Sequence, residues 1–174
     1  MTNPSEETPQ APPTRDSTIT LREITKENWR AITDLQVAPS QSTILATNLK
    51  SLCESHYTED AWVRGVYADD TPVGLLLMSF WTPEDWYAVW RFMIDEKYQG
   101  LGYGRKTMQL AIAYVKETYP DAKQIRLMSI GPEGRKDVLA KDSPYNFYVG
   151  LGFKPVGEYD EDGETDMVLD LDRS

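Results

Sequence analysis

Between Phe92 and Lys106 the chain reads FMIDEKYQGLGYGRK: an apolar run, then glycine at every second position from Gly100 to Gly104, then the start of a helical pattern. Alternating glycines let backbone approach a ligand closely, and the free N–H groups of a helix start form a cradle for an anion such as phosphate. The segment therefore predicts an anionic ligand held where a strand hands over to a helix, with an ordinary glycine turn as the plainer alternative. Two familiar phosphate loops fail on spacing. The dinucleotide fingerprint needs G-x-G-x-x-G, and the Walker loop needs Gly-Lys followed by Ser or Thr, where this chain has Gly104-Arg105-Lys106-Thr107.

The pattern on either side is that of one domain, as expected for 174 residues. Residues 1–16 hold four prolines and almost no aliphatic side chains, so they are expected to be a disordered tail, with one domain over 17–174. TITLREI from Thr18 alternates like a strand, Thr25 is placed to cap a short helix carrying Trp29, Ile32 and Leu35, and Ser42 to His56 has helical spacing. Three strand signals then follow closely, from Trp62, Val73 and Trp86, and read as an antiparallel meander. After the glycines, Met108, Ala111, Ile112, Val115 and Tyr119 repeat at helical spacing. A strand over 124–129, a charged excursion over 131–142, a short helix starting at Ser143-Pro144, a strand in GFKPVGEY and a last strand TDMVLDL complete the order. The fold class is α/β in the α+β sense: a mixed, mostly antiparallel sheet of six to seven strands flanked by about four helices.

Charge and cysteine content narrow the setting. The 28 acidic and 18 basic residues give a formal charge of −10, the wrong sign for coating phosphate backbone, so no nucleic-acid partner is expected. A cationic ligand suits that field, although a negative surface also serves solubility alone. No apolar run reaches the ~18 residues of a membrane span, and a lone Cys53 cannot build a disulfide framework, so a cytoplasmic protein without a membrane partner is expected. Asp160-Glu161-Asp162-Gly163 has part of a calcium-loop pattern, but glycine comes too early and no glutamate follows at the twelfth position, so it reads as a hairpin turn and no metal is expected.

Gln99-Gly100-Leu101-Gly102-Tyr103-Gly104 resembles the pyrophosphate motif of the GNAT N-acetyltransferases, and YVGLGF over Tyr148 to Phe153 is similar to that family's second signature. ESHY at Glu54 to Tyr57, RFMIDEKYQG at Arg91 to Gly100 and the pair Gly157-Glu158 look like its bacterial spermine and spermidine acetyltransferases. The resemblance implies acetyl-CoA as cosubstrate. Its pantetheine arm would lie along backbone at Phe92, Met93 and Ile94, on a strand that splays from its neighbour. Its pyrophosphate would be held by Gln99, Gly100, Gly102, Gly104 and Arg105, with Leu101 and Tyr103 of the same loop also counted as cofactor-binding. Tyr148 matches the family's tyrosine, which protonates the departing thiolate, with a core aromatic as the plainer alternative.

The implied activity is transfer of acetyl by direct attack of a primary amine, with a small polycationic acceptor, a polyamine first and an amino-sugar antibiotic second. An ammonium with pKa near 10 has no lone pair, so the attacking amine must first lose its proton. His56, the one histidine, lies on an apolar stripe with Leu45, Leu49 and Leu52 and reads as a packed residue. Glu54, Glu84 and Asp85 are the candidates for recognising the acceptor's cations, with solvated surface as the alternative for each; Trp62, Trp81, Trp86 and Trp90 could add ring faces. A different class of function, a non-catalytic acyl-CoA-binding module acting as sensor or interaction domain, stays open because no general base declares itself, as does a homodimer.

Overall fold

Runs such as VGLLLM are apolar at every position rather than at alternate ones, which requires a strand covered on both faces. The computed structural model, which describes residues 11–171, provides that cover. In chain order it contains β1 (Ile19–Arg22), α1 (Trp29–Thr33), α2 (Asn48–His56), β2 (Ala61–Ala68), β3 (Thr71–Trp81), β4 (Trp86–Ile94) and α3 (Tyr103–Thr118). Then follow β5 (Gln124–Ile130), a small hairpin of β6 (Gly134–Arg135) and β7 (Val138–Leu139), α4 (Tyr145–Val149), β8 (Lys154–Val156) and β9 (Glu164–Asp170). The main sheet has seven strands in the order β1-β2-β3-β4-β5-β9-β8. Every adjacent pair is antiparallel except β4 with β5, so the mixed, mostly antiparallel α/β architecture is the one the sequence predicts.

Alternation along β3 and β4 divides the core. Leu76, Met78 and Phe80 face the larger cluster with Met108, Ala111 and Val115 of α3 and Phe153 beyond α4. Leu75 and Met93 face the smaller one, which Ile32 of α1 and Leu52 of α2 complete. At Gly74 the two strands meet so closely that a Cβ would run into the Met93 carbonyl oxygen, which is backbone and cannot yield as a flexible side chain can. Gly74→Ala is accordingly expected to destabilise the fold by about 1–3 kcal/mol, the usual cost of overpacking, and urea unfolding measures it. A variant as stable as the parent would show that β4 shifts at no cost.

The helices ahead of the sheet are shorter than the spacing suggests. Thr25 and Asn28 form a side-chain turn, with Asn28 Oδ1 accepting from Thr25 N, and α1 begins only at Trp29. Pro39–Gln41 makes a single 3₁₀ turn, and α2 starts at Asn48 with Thr47 Oγ1 accepting from Lys50 N. Its buried face carries Asn48 and Ser51, while Leu49, Cys53 and His56 are not buried. The expectation of a packed histidine is thus corrected: two buried polar residues take the inner face because Asn48 Nδ2 donates to the Ile32 carbonyl and Ser51 Oγ to that of Thr47. The Asp162-Gly163 turn forms as expected, with Asp160 Oδ1 accepting from Asp162 N and Glu164 N and with Gly163 at positive φ. Among the described residues no helix is long and apolar enough to cross a membrane.

Residues 1–10 of the expected tail lie outside the described residues. Its last residues sit against α3: the Tyr103 hydroxyl donates to the Thr14 carbonyl at 2.5 Å, and Lys106 Nζ to the carbonyls of Arg15 and Ser17 at 2.8 and 3.2 Å.

Candidate active site

β4 and β5 run parallel but share one register pair, Ala88 with Arg126, and separate beyond it. Asp95 N donates to Val73 O, so by the alternation of an antiparallel ladder Phe92 and Ile94 turn their backbone groups away from β3, toward the gap. The bulge strengthens the departure. Arg91 pairs with Leu77 and Val89 with Met78, which leaves Trp90 as an extra residue that bends β4 where the strands part. The result is a cleft of about 660 Å³, within the range of small-molecule sites.

The glycine loop closes the end of this cleft at the C-terminus of β4. Asp95, almost fully buried, anchors it: one carboxylate oxygen accepts from Lys97 N and the other from Gln36 N. Gly100 and Gly102 have φ of 76° and 86°, a left-handed conformation that strains any residue with a Cβ, and a Cβ at either would meet nothing within 4 Å. Glycine is needed here for backbone conformation, and the space before it is open. Gly102 is the N-cap of the 16-residue α3, whose first N–H groups and positive dipole end front the cleft. At Gly104 the constraint is space instead: a Cβ there would lie 3.3 Å from the Phe147 ring, which would have to give by a few tenths of an ångström.

Phe92, Met93, Ile94, Gln99, Gly100, Gly102, Tyr103, Gly104, Arg105 and Tyr148 all line this one cleft. Their contributions differ. Gln99 Nε2 donates to Ile94 O and to Gln41 Oε1, tying the loop to β4 and to the segment after α1. The side chain of Tyr103 takes no part, because the residue is 1% exposed and its hydroxyl is bonded to Thr14. Arg105 donates to the Gly150 carbonyl at 2.9 Å, bridging the start of α3 to the end of α4. Leu101 lies outside the cleft lining and packs on the core beside α3.

Tyr148 reaches the cleft from α4, just ahead of which Ser143 Oγ accepts from Tyr145 N while donating to Ile130 O. Phe147 and Phe153 hold its ring edge-on, at centroid distances of 5.1 and 5.8 Å. Burial pushes its phenol well above the ordinary tyrosine range, so it keeps its proton and can act as a donor.

The three acidic candidates are not gathered at the cleft. Glu54 reaches its wall indirectly, through an ion pair with Arg91, and that guanidinium holds its carboxyl below the usual carboxylate range. Glu84 and Asp85 sit in the β3–β4 connection at the opposite end of β4, where Asp85 lines a separate cavity of about 440 Å³ with Tyr87 and Tyr119. Three of the tryptophan faces are occupied by arginines: Arg64 over Trp62, Arg91 over Trp90 and Arg126 over Trp86. Arg15, Arg91, Ser129, Asp142 and Glu164 line the cleft without having been singled out in the sequence. Of these, Arg91 lies within RFMIDEKYQG; the others come from segments with no local signature.

The model of the Acetyltransferase (GNAT) family matches residues 19–130. Spermine/spermidine N(1)-acetyltransferase of Bacillus subtilis is 31% identical over 162 residues, which span 88% of this chain and 99% of that protein. Among solved structures, an acetyltransferase from Thermus thermophilus superposes with a TM-score of 0.65 at 18% identity, over 88% of this chain and 97% of its own. The PaiA N-acetyltransferase of Thermoplasma acidophilum, in complex with coenzyme A, gives 0.63 at 17% identity, over 88% and 99%. The matched segment runs through the splayed strand, the glycine loop and α3, and the chain belongs to the GNAT family of acetyltransferases.

Proposed function

We propose that the chain transfers acetyl from acetyl-CoA to a primary amine of a small polycationic acceptor, a polyamine foremost. The parting of β4 from β5 carries this reading, because it presents strand backbone that β5 does not pair, a helix N-terminus and a protonated phenol to one cleft. The amides of a pantetheine arm can pair with the backbone of Phe92 and Ile94 as an added strand would. The N–H groups at the start of α3 suit its pyrophosphate. Bound there, acetyl-CoA would supply the activated acyl group. The chain's own part is to align the arm along β4, to polarise the acyl oxygen with a backbone N–H of β4, and to donate the Tyr148 proton to sulfur as it leaves.

The polyamine reading is supported by the activity named for the Bacillus subtilis relative and by the formal charge of −10. Only the amine under attack must be neutral, so the acceptor's other ammonium groups remain to be matched by carboxylates. Glu54 is suited to this only in competition with Arg91.

Thiol release from acetyl-CoA across a panel of amines tests the proposal. Spermine and spermidine are expected to give the highest kcat/KM, falling as salt rises, since exposed charges are screened within ~8 Å at physiological ionic strength. A neutral acceptor should respond much less. A monoamine as best substrate, without salt dependence, would remove the polyamine while leaving acetyl transfer in place. Coenzyme A binding with no thiol release from any amine, amino-sugars included, would instead support the non-catalytic binding module.

A further inference from the structure

The cations beside the glycine loop are mostly engaged elsewhere. Arg105 donates to Gly150 O, and Lys106 is bonded to the carbonyls of Arg15 and Ser17. Arg15 differs. It is exposed and lines the cleft, and one of its guanidinium nitrogens donates to the Gly100 carbonyl at 3.0 Å. A guanidinium has five N–H donors in a planar fork suited to phosphate oxygens, so donors remain for a ligand in the cleft.

Its position is fixed by polar bonds from the helix that carries the phosphate cradle. The Tyr103 hydroxyl holds Thr14, and Lys106 holds the carbonyls of Arg15 and Ser17. Thr14 N also donates to Ser17 Oγ, closing a tight turn around Arg15. Residue 15 precedes the matched family segment, which begins at residue 19.

We propose that Arg15 is a phosphate-binding residue, a guanidinium brought over the rim of the glycine loop to hold a phosphate at the nucleotide end of the acyl carrier. The inference rests on the reading of acetyl-CoA as cosubstrate. It assigns to the N-terminal segment a share of cofactor affinity and no share of the chemical step.

Calorimetry on the full chain tests it with three ligands: coenzyme A, its 3′-dephospho form, and pantetheine, which lacks phosphate altogether. Arg15→Gln should weaken coenzyme A binding about 5–10-fold, leave pantetheine binding unchanged, and raise the KM for acetyl-CoA at constant kcat. Arg15→Lys, which keeps the charge but loses the fork, should fall between. Persistence of the loss with the dephospho form would identify the pyrophosphate as the group held, and its disappearance the ribose phosphate. Equal coenzyme A affinity in parent and variant would overturn the proposal and leave the cosubstrate reading intact. Equal losses for coenzyme A and pantetheine would also overturn it, reducing Arg15 to a tether. A parent that binds no coenzyme A would remove both readings.

Discussion

Tyr148→Phe is expected to lower kcat by about 10²-fold while leaving the affinity for acetyl-CoA within twofold. General acid catalysis is worth roughly 10²–10⁴-fold, and a thiolate is a fair leaving group, which places the loss at the low end. The substitution removes one oxygen and keeps the ring, so the edge-on contacts to Phe147 and Phe153 survive and packing is retained. A loss confined to kcat therefore reports on the hydroxyl. The pH profile supplies an independent check. Because burial raises the phenol's pKa, the proton stays on Tyr148 through the range in which an ordinary tyrosine, at about 10, would lose it. Then kcat/KM should rise with pH as the acceptor amine deprotonates, with no falling limb from Tyr148 near pH 10. Stability should respond with the opposite sign. The native state retains a proton that the unfolded state releases above about pH 10, so unfolding becomes easier there, and Tyr148→Phe should flatten that decline. Unchanged turnover in the variant, with chemistry rate-limiting, would assign Tyr148 to packing alone.

The parts of the site that were legible in the sequence are those whose cause is local. Positive φ at Gly100 and Gly102 and a helix beginning directly after them are written into one short run of residues. The antiparallel meander follows from adjacent apolar runs joined by short turns. What was not legible depends on the topology. Glu84 and Asp85 look well placed beside a cleft when β4 is only a run of letters, but the cleft opens at the far end of that strand, past the Ala88–Arg126 pair. Glu54 has no visible partner until the β-sheet brings Arg91 across to it. Arg15 sits in a stretch with almost nothing to bury. Its last residues are placed by hydrogen bonds from Tyr103 and Lys106, and such long-range polar tethers leave no periodicity. In α2 the hydrophobic pattern pointed to the wrong face, because a buried amide with a backbone partner fits an interior as well as leucine does.

Gly102→Val is expected to weaken acetyl-CoA binding on the order of 10²-fold, and the reason is conformational. A Cβ at this position would touch nothing within 4 Å, so no clash with protein atoms explains the glycine. Its φ of 86° does, because a β-branched residue there is a strong outlier and costs of order 1–3 kcal/mol to hold. The chain can relieve that strain only by turning the peptide at the N-cap of α3, which redirects the N–H groups of Tyr103 and Gly104. Hydrogen bonds to a charged group are each worth about 1.5–3 kcal/mol, so misdirecting two of them removes at least about 3 kcal/mol, or about two powers of ten in affinity. Gly102→Ala, with less crowding at the same φ, should fall between parent and valine variant. Both should bind pantetheine nearly as well as the parent does, since the backbone of β4 that faces the gap is untouched. Calorimetry on variants whose folding has been verified by thermal melting decides the matter. Parent-like affinity for coenzyme A in the folded valine variant would mean that the pyrophosphate is held elsewhere than on the start of α3.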